Sequence, residues 1–98
     1  MFKIRVSLTA ATEIGRLKPF ARGRVMAAIR RSLSAEPAAP SRNRKLLEGV
    51  AVGFEHVPPV WELRVGDYRV FYDVDVDVCT VWIRAVRFKG RGSTEEVL

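Results

Sequence analysis

The chain has 98 residues and a net charge of +6, from 17 Lys and Arg against 11 Asp and Glu. This length allows one modest hydrophobic core, so we expect a single domain over residues 1–98. Apolar residues at 48% and charged residues at 29% exclude a disordered tail. The basic balance predicts an anionic partner, either nucleic acid or an acidic protein segment.

The chain contains one cysteine and no apolar segment as long as a membrane span. A lone Cys79 excludes an internal disulfide and is typical of a reducing cytoplasm. Because Cys79 lies in a strand-like run, we expect a buried, inert thiol. These features predict a cytoplasmic protein without a membrane partner.

The N-terminal part of the chain predicts one strand and two helices. Residues 2–8 alternate strictly between apolar and polar, which indicates a half-buried strand. Thr9 can cap a first helix over about residues 10–18. Pro19 fits the first turn of a second helix, which we expect to end near Ala35.

The remainder of the chain predicts three further strands. Prolines within residues 36–40 end the second helix, and a basic connector over 41–45 follows. Alternation on both sides of residues 65–67 predicts a β-hairpin. A turn at residues 75–77 then leads to a last strand, 78–88.

The resulting order is β-α-α-β-β-β, with a flexible segment at residues 89–93 and a short turn at 94–98. We therefore expect an α+β fold: two antiparallel N-terminal helices packed on one face of a mainly antiparallel four-stranded sheet. The other face of the sheet stays partly open to solvent.

Several cations avoid the predicted apolar face of the sheet: Lys3, Arg5, Arg64, Arg69 and Arg84. Guanidinium groups that converge on a rigid surface suit a backbone phosphate, or the charge on a pentavalent phosphorus in a reaction. The alternative is that these arginines pair across strands with Glu62 and Asp73.

Aromatic residues on the same predicted face could stack on bases, and the candidates are Phe71, Trp82 and Phe88. Core packing explains them equally well. His56 is predicted to be a surface residue, and Glu62 is the one carboxylate considered for proton transfer. The sequence predicts no metal site and no cofactor.

Three segments together resemble the RelE/ParE superfamily of toxins from bacterial type II toxin–antitoxin pairs. They are Leu-Leu-Glu-Gly at 46–49, Trp-Glu-Leu-Arg-Val-Gly-Asp-Tyr-Arg-Val-Phe-Tyr at 61–72, and Val-Trp-Ile-Arg-Ala-Val at 81–86. The opening strand and helical pair fall in matching order, so the resemblance covers nearly the whole chain. It does not specify the target.

The resemblance implies one of two activities. RelE-like members cut messenger RNA on the ribosome, using the ribose 2′-hydroxyl as nucleophile and basic side chains instead of a metal. ParE-like members poison DNA gyrase and cut nothing. Either activity implies a cognate antitoxin in a hetero-oligomer whose antitoxin segment wraps the helices or covers the basic face.

For a nuclease, the resemblance implies that Arg69 contacts the scissile phosphate and that Lys89 lies near where such nucleases place another cation. A Glu62 base, with Arg64, Arg69 and Lys89 stabilising charge, is compatible with the varied catalytic sets of the superfamily. The candidate nucleic-acid contacts are Lys3, Arg5, Arg84, Arg87 and Phe71. The chain departs from the RelE pattern, because Val60 and Glu62 stand where RelE-type nucleases often carry lysines. It also lacks the tyrosine with which such nucleases often end.

Three hypotheses follow. The most favoured is a metal-free, ribosome-dependent messenger RNA endoribonuclease, and the second is a ParE-like inhibitor of DNA gyrase that acts by binding. The third is a non-toxic relative that serves only as an antitoxin partner.

Overall fold

The computed structural model describes residues 1–98 as a five-stranded mixed sheet with two helices on one face. In chain order, the elements are β1 (Lys3–Val6), α1 (Leu8–Gly15), α2 (Pro19–Leu33), β2 (Arg44–Leu46), β3 (Trp61–Val65), β4 (Tyr68–Asp75), β5 (Thr80–Phe88) and a 3₁₀ helix (Thr94–Val97). The spatial strand order is β1-β5-β4-β3-β2, with β1 parallel to β5 and every other pair antiparallel. The predicted α+β class and helical pair are confirmed.

The fifth strand, β2, is the main departure from the predicted topology. Its residues lie in the segment predicted to be a basic connector, and they pair with β3 at the sheet edge. A three-residue strand with two basic side chains offers no alternation to detect, and its pairing with β3 is a tertiary contact. The prediction of four strands is therefore wrong by one edge strand.

The helix ends follow local capping chemistry. The side chain of Ser7, not of Thr9, caps α1, because its Oγ accepts a hydrogen bond from the amide of Ala10 at 3.2 Å. At the other end of α1, Arg22 donates to the carbonyls of Ile14, Gly15 and Leu17. These bonds satisfy carbonyls that the helix itself leaves free, and they fix α1 against the start of α2.

The main core lies between the helices and the sheet face that they cover, which we call the helix face. The register pairs Trp61 with Tyr72, Leu63 with Val70 and Val65 with Tyr68, as the alternation predicted. The buried core members are Ala10, Val25, Ala28, Ile29, Leu33, Trp61, Leu63, Val65, Val70, Tyr72, Val81, Ile83 and Val86.

A β-bulge at Arg84 changes the facing of the last strand. Phe71 pairs with Ala85 but Tyr72 pairs with Ile83, so Arg84 is an extra residue in β5. After the bulge Arg87 faces away from the helices. Phe88 pairs with Tyr68 on the helix face, so the prediction that Phe88 shares a face with Trp82 is wrong.

The opposite face of the sheet, which we call the outer face, is covered in part by a second cluster. Phe71 and Ala85 are fully buried there beneath Leu47, Phe54 and Val60. Chain from residues 50–52 and 97–98 packs against this cluster. The C-terminal segment at 94–98, predicted to be a short turn, thus folds back against this cluster, and the amide of Gly53 donates to the carbonyl of Leu98 at 3.1 Å.

Cys79 is exposed and lies in the turn before β5, where it adopts a φ of 48°. The prediction of a buried thiol is therefore wrong, because the strand begins at Thr80, one residue later.

Neither α1 nor α2 has the length and apolar character that a membrane-spanning helix requires.

Candidate functional site on the outer sheet face

Three arginines stand in a row across the outer face. Cross-strand pairing places Arg64 of β3 opposite Arg69 of β4, and Arg69 opposite Arg87 of β5. Like charges at directly opposite positions repel, so such a row requires either compensating acids or an anionic ligand. The structure supplies acids for two of the three.

Arg69 is buried at 6% exposure and is held by contacts within the chain. Its Nη1 donates to the carbonyls of Gly66 and Tyr68, each at 2.8 Å, and its Nε lies 3.6 Å from Glu62 Oε2. Glu62 is 5% exposed and accepts a hydrogen bond from the Thr94 hydroxyl at 2.9 Å. The 3₁₀ helix therefore closes this ion pair off from solvent.

Arg84 forms a second buried ion pair. Its Nε donates to Asp73 Oδ2 at 2.7 Å, and its guanidinium stacks over the Trp82 ring at 5.1 Å. The amide of Val57 donates to the same carboxylate oxygen at 2.8 Å. This is the cross-strand pairing that the sequence left open as the alternative for Arg84, and it occupies the guanidinium.

Arg87 is held by α1 and by the C-terminal segment. Its Nε donates to Glu13 Oε2 at 3.0 Å, and its Nη1 donates to the carbonyl of Val97 at 2.8 Å. The guanidinium also lies over the Phe54 ring at 5.2 Å. Phe71 packs 5.7 Å from the same ring and is fully buried, so it offers no surface for a base.

The cations left free on the outer face lie toward the sheet edges. Lys3 and Arg5 are exposed on β1, and Arg64 is exposed on β3. Lys45 of β2 is also exposed and pairs across strands with Glu62. Sequence reasoning missed Lys45, although the basic run around it was visible, because its strand was not predicted.

A cleft of about 300 Å³ brings Lys45 and Arg64 together. Residues 40–46 line it along with Glu62 and Arg64. Two exposed cations on adjacent strands can bind a phosphate or a carboxylate. The buried carboxylate of Glu62 at the cleft is already bonded to Thr94, which limits its use in proton transfer.

The other candidate residues lie elsewhere. Lys89 follows β5 and its amide donates to the carbonyl of Asp67 at 2.8 Å, which places it beside the hairpin turn. His56 is partly buried, with Nδ1 2.8 Å from the carbonyl oxygen of Phe54. Neither Lys89 nor His56 forms an ion pair within the chain.

Tyr72 lies on the helix face and cannot replace the tyrosine that the RelE pattern often has. Its hydroxyl donates to the carbonyl of Pro37 at 2.7 Å. Burial raises the pKa of this phenol well above its ordinary value of 10.0, and the charge of Arg44 opposes that rise only in part. A buried phenol with a raised pKa is a poor proton donor near neutral pH.

A protein-family model matches most of this chain. The family model described as the ParE toxin of the type II toxin–antitoxin system parDE matches residues 4–91. The chain belongs to the ParE toxin family. The matched range begins at the second residue of β1 and runs past the end of β5, so it covers the sheet except for Lys3.

Solved structures similar to this ParE-family toxin come from RelE proteins and their complexes. A chain of the RelBE2 toxin–antitoxin complex of Mycobacterium tuberculosis is 28% identical, with a TM-score of 0.72 over 89% of this chain and 96% of that one. The archaeal RelE–RelB complex of Pyrococcus horikoshii gives 22% identity and a TM-score of 0.69, covering 93% and 98%.

The isolated Escherichia coli RelE toxin is 17% identical with a TM-score of 0.64, covering 99% of this chain and 90% of that chain. The P. horikoshii and E. coli likenesses show the fold alone. No curated protein sequence matches the toxin.

Proposed function

We propose that this toxin arrests growth by binding DNA gyrase and that it does not cleave RNA. The observation that carries the proposal is the position of Arg69. To reach a scissile phosphate, its guanidinium would have to leave two backbone carbonyls and the carboxylate of Glu62. Hydrogen bonds to a charged group contribute about 1.5–3 kcal/mol each, so the buried arrangement strongly opposes that movement.

The match to the ParE toxin model also supports an inhibitor that acts by binding. A binding inhibitor needs a stable, complementary surface and no group that moves a proton. Three arginines on the outer face, which we call the inner arginines, form ion pairs with acids of the chain: Arg69 with Glu62, Arg84 with Asp73 and Arg87 with Glu13. They serve to hold the sheet, the 3₁₀ helix and α1 together.

A ribosome-dependent endoribonuclease is the second candidate. The observation that favours it is the cleft in which the exposed cations Lys45 and Arg64 flank Glu62. In that mechanism the two cations would hold the phosphate, and Glu62 would accept the proton of the ribose hydroxyl after the Thr94 contact opened.

The proposal includes a cognate antitoxin and action in the cytoplasm. The similar M. tuberculosis chain comes from a complex of toxin with antitoxin. The chain has 17 Lys and Arg against 11 Asp and Glu, and the resulting net charge of +6 suits an acidic partner segment. A disordered segment can cover a large area as it orders on contact.

Induced expression without antitoxin tests the proposal, with messenger 5′ ends and gyrase-linked DNA breaks mapped in the same cultures. We expect growth arrest with DNA breaks and no new messenger ends. A Lys45→Ala/Arg64→Ala double variant should arrest growth as well, because both side chains are exposed and neither belongs to a core cluster, so the variant keeps the fold.

An Arg30→Ala/Arg31→Ala variant of α2 is the matched control, since it removes the same charge from another exposed surface. New cuts in translated regions that disappear only in the Lys45/Arg64 variant would overturn the proposal in favour of the nuclease. Absence of arrest from folded wild-type protein would overturn it in favour of the non-toxic relative.

A further inference from the structure

Two phenylalanine rings are exposed to solvent at the end of the sheet where the β3–β4 hairpin turns. Phe20, in the first turn of α2, is 80% exposed, and Phe88, at the end of β5, is 62% exposed. Neither ring is a buried member of a core cluster. Single exposed apolar residues are ordinary, whereas a contiguous exposed apolar patch rimmed by polar residues marks an interaction surface.

Helical spacing and contacts at the hairpin place the two rings on one surface, which we call the hairpin-tip patch (Phe20, Arg24, Tyr68, Phe88 and Lys89). Arg24 follows Phe20 by one helical turn, so both lie on the same side of α2. The guanidinium of Arg24 lies against the turn at Gly66, 3.0 Å from where a Cβ would stand. Tyr68 follows that turn and meets the Phe88 ring edge-on at 5.5 Å.

The bulge at Arg84 explains why this patch exists. Without the extra residue, strict alternation would place Phe88 on the outer face with Trp82. With it, Phe88 faces the same side as Tyr68 and α2. Of the residues predicted for the outer face, Phe88 alone joins this patch, whereas Phe71 stays on the outer face, where it is buried.

The charge of the patch selects an anionic occupant. Residues 16–24, 66–68 and 88–91 carry one acid, Asp67, against six cations: Arg16, Lys18, Arg22, Arg24, Lys89 and Arg91. None of the six forms an ion pair within the chain. Arg22 donates to backbone carbonyls at the end of α1, so the free cations are the other five. Exposed rings interleaved with free cations suit a single-stranded polynucleotide, whose bases stack on aromatic faces while its phosphates meet Lys and Arg.

We propose that the hairpin-tip patch binds single-stranded polynucleotide, with Phe20 and Phe88 stacking on bases and Arg24 and Lys89 contacting phosphates. This surface goes beyond the proposed inhibition of gyrase and is distinct from the cleft at Lys45. Duplex is a poorer occupant, because its base faces are already stacked and closed to the two rings.

Fluorescence anisotropy of the full chain with a short labelled single strand tests the proposal, in separate DNA, RNA and duplex arms. We expect a Kd of about 1–100 μM at moderate salt, as for sequence-independent binding. Single-stranded DNA and single-stranded RNA should both bind, and the one with the lower Kd identifies the natural ligand. Phe20→Ala and Phe88→Ala should each weaken binding roughly 5- to 100-fold.

Matched controls separate stacking from net charge. Val78→Ala removes another exposed apolar side chain, 61% exposed and in the turn before β5, and should leave binding unchanged. Arg24→Ala should reduce the slope of log K against log salt by about 0.7, the value for one phosphate on a single strand. Arg31→Ala, with the same charge on the same helix, should leave that slope unchanged.

Equal binding by Phe88→Ala and Val78→Ala would overturn the proposal, as would equal affinity for duplex or an absence of binding. Competition by polyglutamate with the same dependence on Phe20 and Phe88 would also overturn it, since it would reveal a surface for an acidic protein. Circular dichroism of each variant confirms that it is folded. Growth arrest is recorded separately, so failure of gyrase inhibition leaves this test intact.

Discussion

The buried phenol of Tyr72 couples stability to alkaline pH. Its pKa is raised in the folded chain by burial, so the folded state keeps its proton where the unfolded state releases one. The resulting stability is fully present below the ordinary value of 10.0 and is lost as pH rises above it. We expect urea midpoints of the wild type to fall above that pH, and Tyr72→Phe to lack this fall.

Tyr68→Phe is the control for that experiment, because it removes a phenol that lies partly exposed at the hairpin. It should retain the alkaline loss, since Tyr72 is intact. An identical pH profile for Tyr72→Phe and the wild type would contradict the assignment.

The ion pair of Arg84 with Asp73 should be a strong determinant of stability. Removing one partner leaves the other charge buried, with Asp73 Oδ2 bonded only to the Val57 amide. Loss of one member of a buried pair costs about 3–5 kcal/mol, so Arg84→Ala should lower the unfolding free energy by that order. Denaturant titration measures it.

Arg5→Ala, which removes an exposed cation from the neighbouring strand β1, should change stability by less than about 0.5 kcal/mol. Equal effects of the two substitutions would show that Arg84 contributes no more than a surface charge.

The sequence allowed the pairing of Arg84 with Asp73 as one of two options. It could not choose between them, because the bulge that positions Arg84 arises from tertiary pairing.

At the scale of elements, two glycines test the hairpin and α2 separately. Gly66 has a φ of +57° in the β3–β4 turn and lies against Arg24, so Gly66→Ala should destabilise the chain by about 1 kcal/mol or more. Gly23 lies within α2 with open space around it, so Gly23→Ala should stabilise by about 0.5–1 kcal/mol. Thermal unfolding of both variants should give shifts of opposite sign.

Shifts of the same sign would contradict the assignment of Gly66 to a left-handed turn.

The hairpin itself was predictable, because alternation over residues 61–72 fixes which side chains meet the helices. Strand β2 was not predictable, since it is three residues long and basic. Strict alternation also failed after Arg84, where one extra residue turned Phe88 to the other face.

At the scale of the molecule, the sequence predicted which arginines lie on the outer face, but it did not predict which of their side chains are free to bind a ligand. The expected arginines do lie on the outer face, but Glu62, Asp73 and Glu13 occupy the three inner ones. Whether a charged side chain is free depends on long-range partners such as Thr94 and Val97. Spacing along the sequence carries no information about those contacts, and so it could not separate structural from available cations.

The central claim is that the toxin inhibits by binding and leaves messenger RNA intact. The most direct test uses one preparation of purified toxin in two parallel reactions: plasmid supercoiling by gyrase, and messenger on translating ribosomes followed by primer extension. We predict loss of supercoiling together with uncut messenger. Cut messenger with unaffected supercoiling would contradict the account.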